Sequence, residues 1–142
     1  MAERIALDVD ELALLRRVRD YVDRHYAEPL NVEHLAAKAY MSAAHFSRRF
    51  KIAFGQSPYQ YVMSRRVERA MVLLRQGASV TDACFAVGAS SLGSFSSSFL
   101  AITGLSPSAY READHSAINA LPSCVAREFS RPGVPRTPER KS

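Results

Sequence analysis

The chain repeats itself. Val32 recurs as Val80 and Ala36 as Cys84, at an offset of 48. Phe46 then recurs as Phe95, Phe50 as Phe99, Gly55 as Gly104, Ser57-Pro58 as Ser106-Pro107 and Tyr61 as Tyr110, at an offset of 49. The one-residue change falls in a turn, where an insertion disturbs packing least. A repeat of this length means that one supersecondary unit is built twice. Each copy reads as a short helix, a tight turn (Tyr40-Met41 or Gly88-Ala89) and a second helix ending at glycine. That is the pattern of a helix-turn-helix, whose second helix is suited to a DNA major groove.

Proline and glycine set the boundaries, and the apolar spacing between them is helical throughout. Leu12, Leu15, Val18 and Val22 predict a first helix over about 10–26. Asn31 caps a short helix that turns Val32, Leu35, Ala36 and Ala39 inward. Ser42 caps a helix carrying Phe46, Phe50 and Phe54. A longer helix over about 58–76 stops at Gly77. Ser79 starts a short helix with Val80, Ala83, Cys84 and Val87 inward, and Ser91 opens one with Leu92, Phe95, Phe99 and Ile102 inward. Ser106-Pro107 begins a last helix through Tyr110, with proline in the first turn where it belongs. No segment alternates with period two. The expected fold is all-α, with about seven helices. Residues 1–9 are a lead, 10–57 the first subdomain, 58–76 a linker helix, 77–111 the second subdomain and 112–142 a C-terminal extension. Three prolines and a glycine within 131–138 predict disorder at its end.

The net charge of +5 over 142 residues says little by itself. Its placement says more. Residues 38–75 hold eight basic side chains (Lys38, Arg48, Arg49, Lys51, Arg65, Arg66, Arg69, Arg75) against Glu68 alone, a balance of +7. Residues 77–111 hold only Asp82 and Arg111. On a helical wheel of about 100° per residue, Phe46, Phe50, Ala53 and Phe54 define the buried side of the first unit's second helix. Ala44, Arg48, Lys51 and Ile52 point away from it, with His45, Ser47 and Arg49 on the flanks. A guanidinium at Arg48 suits a bidentate contact to guanine, and Arg49 and Lys51 suit phosphates. A linker of about 19 residues spans roughly 28 Å, near the spacing of about 34 Å between successive major-groove segments. Arg65, Arg66 and Arg69 would then lie towards the phosphates between them.

Other chemistries find no support. His25, His34, His45 and His115 lack metal-ligand spacing. Cys84 occupies a core position, Cys124 falls in the extension, and two cysteines make no disulfide framework. Gly88 and Gly93 are not followed by the Lys-Ser/Thr of a phosphate-binding loop. The serines at 90, 91, 94 and 96–98 have no histidine placed to act as a base. Enzymatic activity, a metal and a cofactor are therefore not expected. No apolar run is long enough to cross a bilayer, and the N-terminus lacks the apolar region of a secretory signal. A cytoplasmic location is expected.

At these residues the sequence resembles the DNA-binding domain of the AraC/XylS family of transcriptional regulators. The matching text includes Leu35-Ala36, Met41-Ser42, His45 through Lys51, Phe54-Gly55, Ser57-Pro58, Arg66-Val67 and Leu73-Leu74. In the second unit it includes Val80-Thr81-Asp82, Val87-Gly88, Phe95-Ser96, Thr103-Gly104 and Ser106 through Arg111. The resemblance implies two helix-turn-helix units joined by a linker helix, and sequence-specific binding to promoter duplex DNA. It implies base-facing positions at Ala44, Ser47 and Arg48, and an anchoring role for Arg66. His45, Arg49, Lys51, Arg65 and Arg66 are expected at phosphates.

Two departures stand out. Ala89 replaces the usual aromatic, which predicts a small void or a loosened turn. Ser97, Ser98 and Leu100 stand where the family usually carries basic residues. The second unit is thus expected to contribute more weakly, through Ser90, Ser91, Gly93, Ser94 and Ser97, with Leu100 against a thymine methyl. The chain has no room for the effector or dimerisation domain of many relatives, so the expectation is that activity follows abundance, that another chain supplies sensing, or that this chain is a fragment; Met1 favours a complete protein, and a monomer on DNA is expected. RNA polymerase or another regulator is a further expected partner. The alternative reading is a protein-interaction module in which the neutral second unit binds a protein and DNA binding is weak.

Overall fold

The computed structural model describes residues 7–116. The expectations for the extension beyond 116, Cys124 and the proline-rich end included, lie outside the described residues. Seven helices follow in order among them: α1 (Val9–His25), α2 (Val32–Lys38), α3 (Ala43–Phe54), α4 (Pro58–Arg75), α5 (Val80–Ala86), α6 (Leu92–Thr103) and α7 (Pro107–Glu112). The all-helical reading holds, and the ends agree with the predicted ones to within about two residues.

The caps explain that agreement, because they are written locally. Asn31, Ser42, Ser79, Ser91 and Ser106 each accept from the backbone N–H three residues on, at 2.8–3.2 Å. Each bond satisfies a helix-terminal donor that would otherwise lack a partner. Ser57 and Gln60 form a reciprocal capping box at the start of α4 (3.1 and 2.9 Å). At the other ends, Gly55 (φ 80°) and Gly104 (φ 86°) adopt the left-handed conformation and donate to Lys51 and Leu100. A side chain would make that backbone costly.

The chain divides into two compact units, Met1–Arg65 and Arg66–Ser142, with the boundary inside α4. That boundary falls within the helix expected to link the two subdomains, after its first two turns. In the first unit Leu15, Val18 and Val22 of α1, Leu35, Ala36 and Ala39 at α2, and Phe46 and Phe50 of α3 form one core with Val62. Phe50 meets Phe46, Phe54 and Tyr61 at ring separations of 5.5, 4.8 and 5.8 Å. In the second unit Val67, Ala70, Met71, Leu74, Ala83, Cys84, Val87, Phe95, Phe99 and Tyr110 are buried. Arg75 donates to the Tyr110 hydroxyl (2.8 Å), and Arg111 donates to the carbonyls of Gly77 and Ala78 beyond the end of α4.

Two expectations are corrected here. The turn at Ala89 is not loosened. Its N–H donates to the Cys84 carbonyl at 3.2 Å, just as Met41 donates to Ala36 at 3.1 Å, and Ala89 is buried. Leu92 does not face inward but is 41% exposed. It is the first residue of α6, ahead of the turn on which Phe95 sets the buried face.

Tyr61 ties the start of α4 to α1 by donating to Asp23 Oδ1 at 2.6 Å. Burial, reinforced by that bond, pushes its phenol well above the ordinary tyrosine range. The unfolded phenol titrates near pH 10. The stabilisation from the raised group is therefore complete below about pH 10 and declines as pH rises beyond it. Tyr61→Phe should begin about 1 kcal/mol less stable at neutral pH. It should then lose less stability than the unsubstituted chain between about pH 10 and 12. Urea midpoints across that range measure both effects.

Candidate nucleic-acid interface

Burial of Phe46 and Phe50, at 0% and 1% exposure, fixes how α3 is rotated about its axis. With that side packed on α1 and α2, the opposite side faces solvent. Ala44, His45, Arg48 and Lys51 are exposed, and Ile52 is 44% exposed; Ser47 is half-buried on the flank. The outward positions are those the wheel predicts. A small residue opens the helix, a guanidinium follows one turn on, and an ammonium comes three residues later.

Arg49 goes elsewhere. Its Nε and Nη2 donate to the two carboxylate oxygens of Glu11 on α1, at 2.5 and 2.9 Å. Both side chains are largely covered, at 17% and 16% exposure. The hydrogen bond to Glu11 raises the pKa of the guanidinium further. The fork geometry makes this a directional clamp between α1 and α3. Grouping Arg49 with the phosphate-facing cations therefore needs correction, since its head is engaged by α1 within the fold. The sequence carried no signal for this, because Glu11 lies 38 residues upstream.

The other cations of 38–75 also sort by partner. Lys38 Nζ sits 4.1 Å from the Tyr21 ring centre, and the Arg65 guanidinium 5.2 Å from that of Tyr61. Arg65 and Arg66 are half-buried on α4, while Arg69 is exposed.

The equivalent helix of the second unit uses the same scaffold with different chemistry outside. Phe95 and Phe99 are buried at 1% and 0%. Ser90, Ser91, Leu92, Gly93, Ser94, Ser97, Leu100 and Ala101 are exposed, and α6 contains no charged residue. A Cβ on Gly93 would meet only the Ser91 hydroxyl oxygen, at 4.0 Å, so the backbone there is open to approach. Among the described residues, no cluster of three or more His, Cys, Asp or Glu could hold a metal, and no helix is long and apolar enough to cross a membrane.

Comparisons with known proteins bear on the family and the fold. Residues 35–113 match the family described as a helix-turn-helix domain. The MmsAB operon regulatory protein of Pseudomonas aeruginosa is 34% identical over 122 residues, covering 78% of this chain and 40% of that protein. The right origin-binding protein of Escherichia coli K12 is 28% identical, covering 87% and 44%. Among solved structures, the DNA-binding domain of AdpA, a global transcriptional factor crystallised with a target DNA, superposes with a TM-score of 0.69 at 34% identity. That match covers 76% of this chain and 98% of that one. An AraC-type regulator from Chromobacterium violaceum gives 0.65 at 27% identity, covering 81% and 99%. The chain spans 34–40% of the length of the first curated relatives it matches.

If Glu11 and Arg49 act as one clamp, their substitutions should not add. Glu11→Gln and Arg49→Met should each lower the thermal midpoint by a few degrees, and the double variant should melt no lower than the worse single variant. Additive losses in the melting curves would show two independent residues.

Proposed function

The chain belongs to the AraC/XylS family of helix-turn-helix regulators, and from that membership we propose that it binds duplex promoter DNA sequence-specifically and regulates transcription. The reading rests above all on α3, whose outward face carries Arg48 and Lys51 behind which Phe46 and Phe50 are wholly buried. Arg48 is proposed to read guanine through its two parallel donors, with Ala44 and Ser47 beside it against base edges. His45 and Lys51 on α3, and Arg65 and Arg66 on α4, are proposed at phosphates. Arg49 serves differently, holding α3 against α1 so that Arg48 is presented at a fixed angle.

The second unit is proposed to contribute a weaker contact through Ser90, Ser91, Gly93, Ser94 and Ser97. A neutral helix releases no condensed counterions and offers no bidentate donor. Exposed Phe85 on α5 and Leu100 on α6 favour a second reading for this unit alone, as a surface for RNA polymerase or another regulator. The chain is proposed to act as a monomer on DNA, in the cytoplasm at the nucleoid. Its expected lack of enzymatic activity accords with a family of DNA-binding regulators.

A duplex titration at several salt concentrations tests the proposal. Log K should fall linearly with log salt, with a slope of about −0.9 per phosphate contacted. Arg48→Ala should lose roughly 1–3 kcal/mol of discrimination between sequences. Lys51→Ala should weaken all sequences alike and reduce the salt slope by about one. Identical behaviour of the two variants would remove the division of roles.

A further inference from the structure

Tyr40 has a backbone conformation that tyrosine disfavours and a side chain the fold does not use. Its φ is 58°, making it the one non-glycine residue with positive φ among the described residues. The residue is 83% exposed. In that left-handed region the Cβ crowds the residue's own carbonyl oxygen, a penalty glycine escapes.

The second unit provides an internal control. Gly88 occupies the matching place in its turn, at φ 88°. The two turns close by the same bonds: Tyr40 and Met41 donate to the carbonyls of Ala37 and Ala36, and Gly88 and Ala89 to those of Phe85 and Cys84. The turn therefore works with glycine, and the tyrosine adds strain without improving closure. Among the described residues the Tyr40 ring meets no other ring and its hydroxyl bonds no group. Strain of this kind gathers where the side chain serves something outside the fold.

Position decides what that something is. Tyr40 lies two residues before Ser42, the N-cap of α3. A recognition helix enters the groove by its N-terminal residues while the preceding helix crosses the backbone. The turn joining them then lies at the groove edge, which phosphates line. A phenol there offers one O–H donor, and tyrosine is among the side chains that bond phosphate oxygens. We propose that Tyr40 donates from Oη to a phosphate oxygen at the edge of the groove entered by α3, as a positioning contact confined to the first unit. This rests on the DNA-binding reading above.

Tyr40→Phe keeps the ring and the strain but removes the donor, whereas Tyr40→Gly removes both. Each full-length variant is titrated against two duplexes of equal length, one recovered by selection from random sequences and one unrelated. Both variants should lose about three- to tenfold in affinity, by the same factor on each duplex. The salt slope should not change, because no cation is lost. The thermal midpoint should hold in Tyr40→Phe and hold or rise in Tyr40→Gly. Unchanged affinity in Tyr40→Phe overturns the proposal and points to a role away from DNA, as does a clear drop in the midpoint of Tyr40→Gly. A loss confined to the selected duplex overturns the phosphate assignment in favour of base contact. If the unsubstituted chain shows no salt-dependent binding, the DNA-binding reading fails and the Tyr40 contact with it. If it binds and the variants match it, only the Tyr40 contact fails.

Discussion

Two pairs of phenylalanines four residues apart orient both second helices. Phe46 and Phe50 in α3, and Phe95 and Phe99 in α6, are buried to 0–1% exposure. Burying one such ring is worth roughly 1.5–3 kcal/mol, more than any surface contact on either helix supplies. Each pair occupies one face of its helix, so it dictates which residues face away. Left-handed glycine caps at the ends and serine caps at the starts then fix helix length. The repeat conserves this inward half of the unit within one chain and leaves the outward half free to differ.

The outward halves do differ, and the difference is electrostatic. The +7 balance over 38–75 overstates the charge that faces solvent. Lys38 and Arg65 lie over tyrosine rings, Arg75 bonds a tyrosine hydroxyl and Arg49 is clamped by Glu11. Arg48, Lys51 and Arg69 remain exposed. Arg48 and Arg49 make the contrast sharpest. Neighbours in sequence, they lie about 100° apart around the helix. One points to solvent, and the other braces the helix that carries the first.

Local physics made most of the fold legible in advance. A capping serine bonds a donor three residues away, a terminal glycine frees a conformation at its own position, and apolar period reports one helix face. All of these lie within a few residues, so the seven helices and the outward placement of Arg48 could be read directly. What could not be read depended on distant partners or on balance between neighbours. The Glu11–Arg49 pair joins residues 38 apart. Leu92 fits the apolar period, yet as the first residue of its helix it stays exposed. The turn at Ala89 closes without an aromatic because its backbone hydrogen bonds suffice. Tyr40 was visible as the counterpart of Gly88, but only the backbone angle gave that match a meaning.

The proposed function has the two units, one with a cationic outer face and one neutral, grip DNA unequally. Selecting bound sequences from a random duplex library with the full chain tests this most directly. The expected outcome is one strongly constrained block of a few base pairs containing guanine, with weaker or no constraint about one helical turn away. Two equally constrained blocks at that spacing, or no enriched sequence at all, would contradict it.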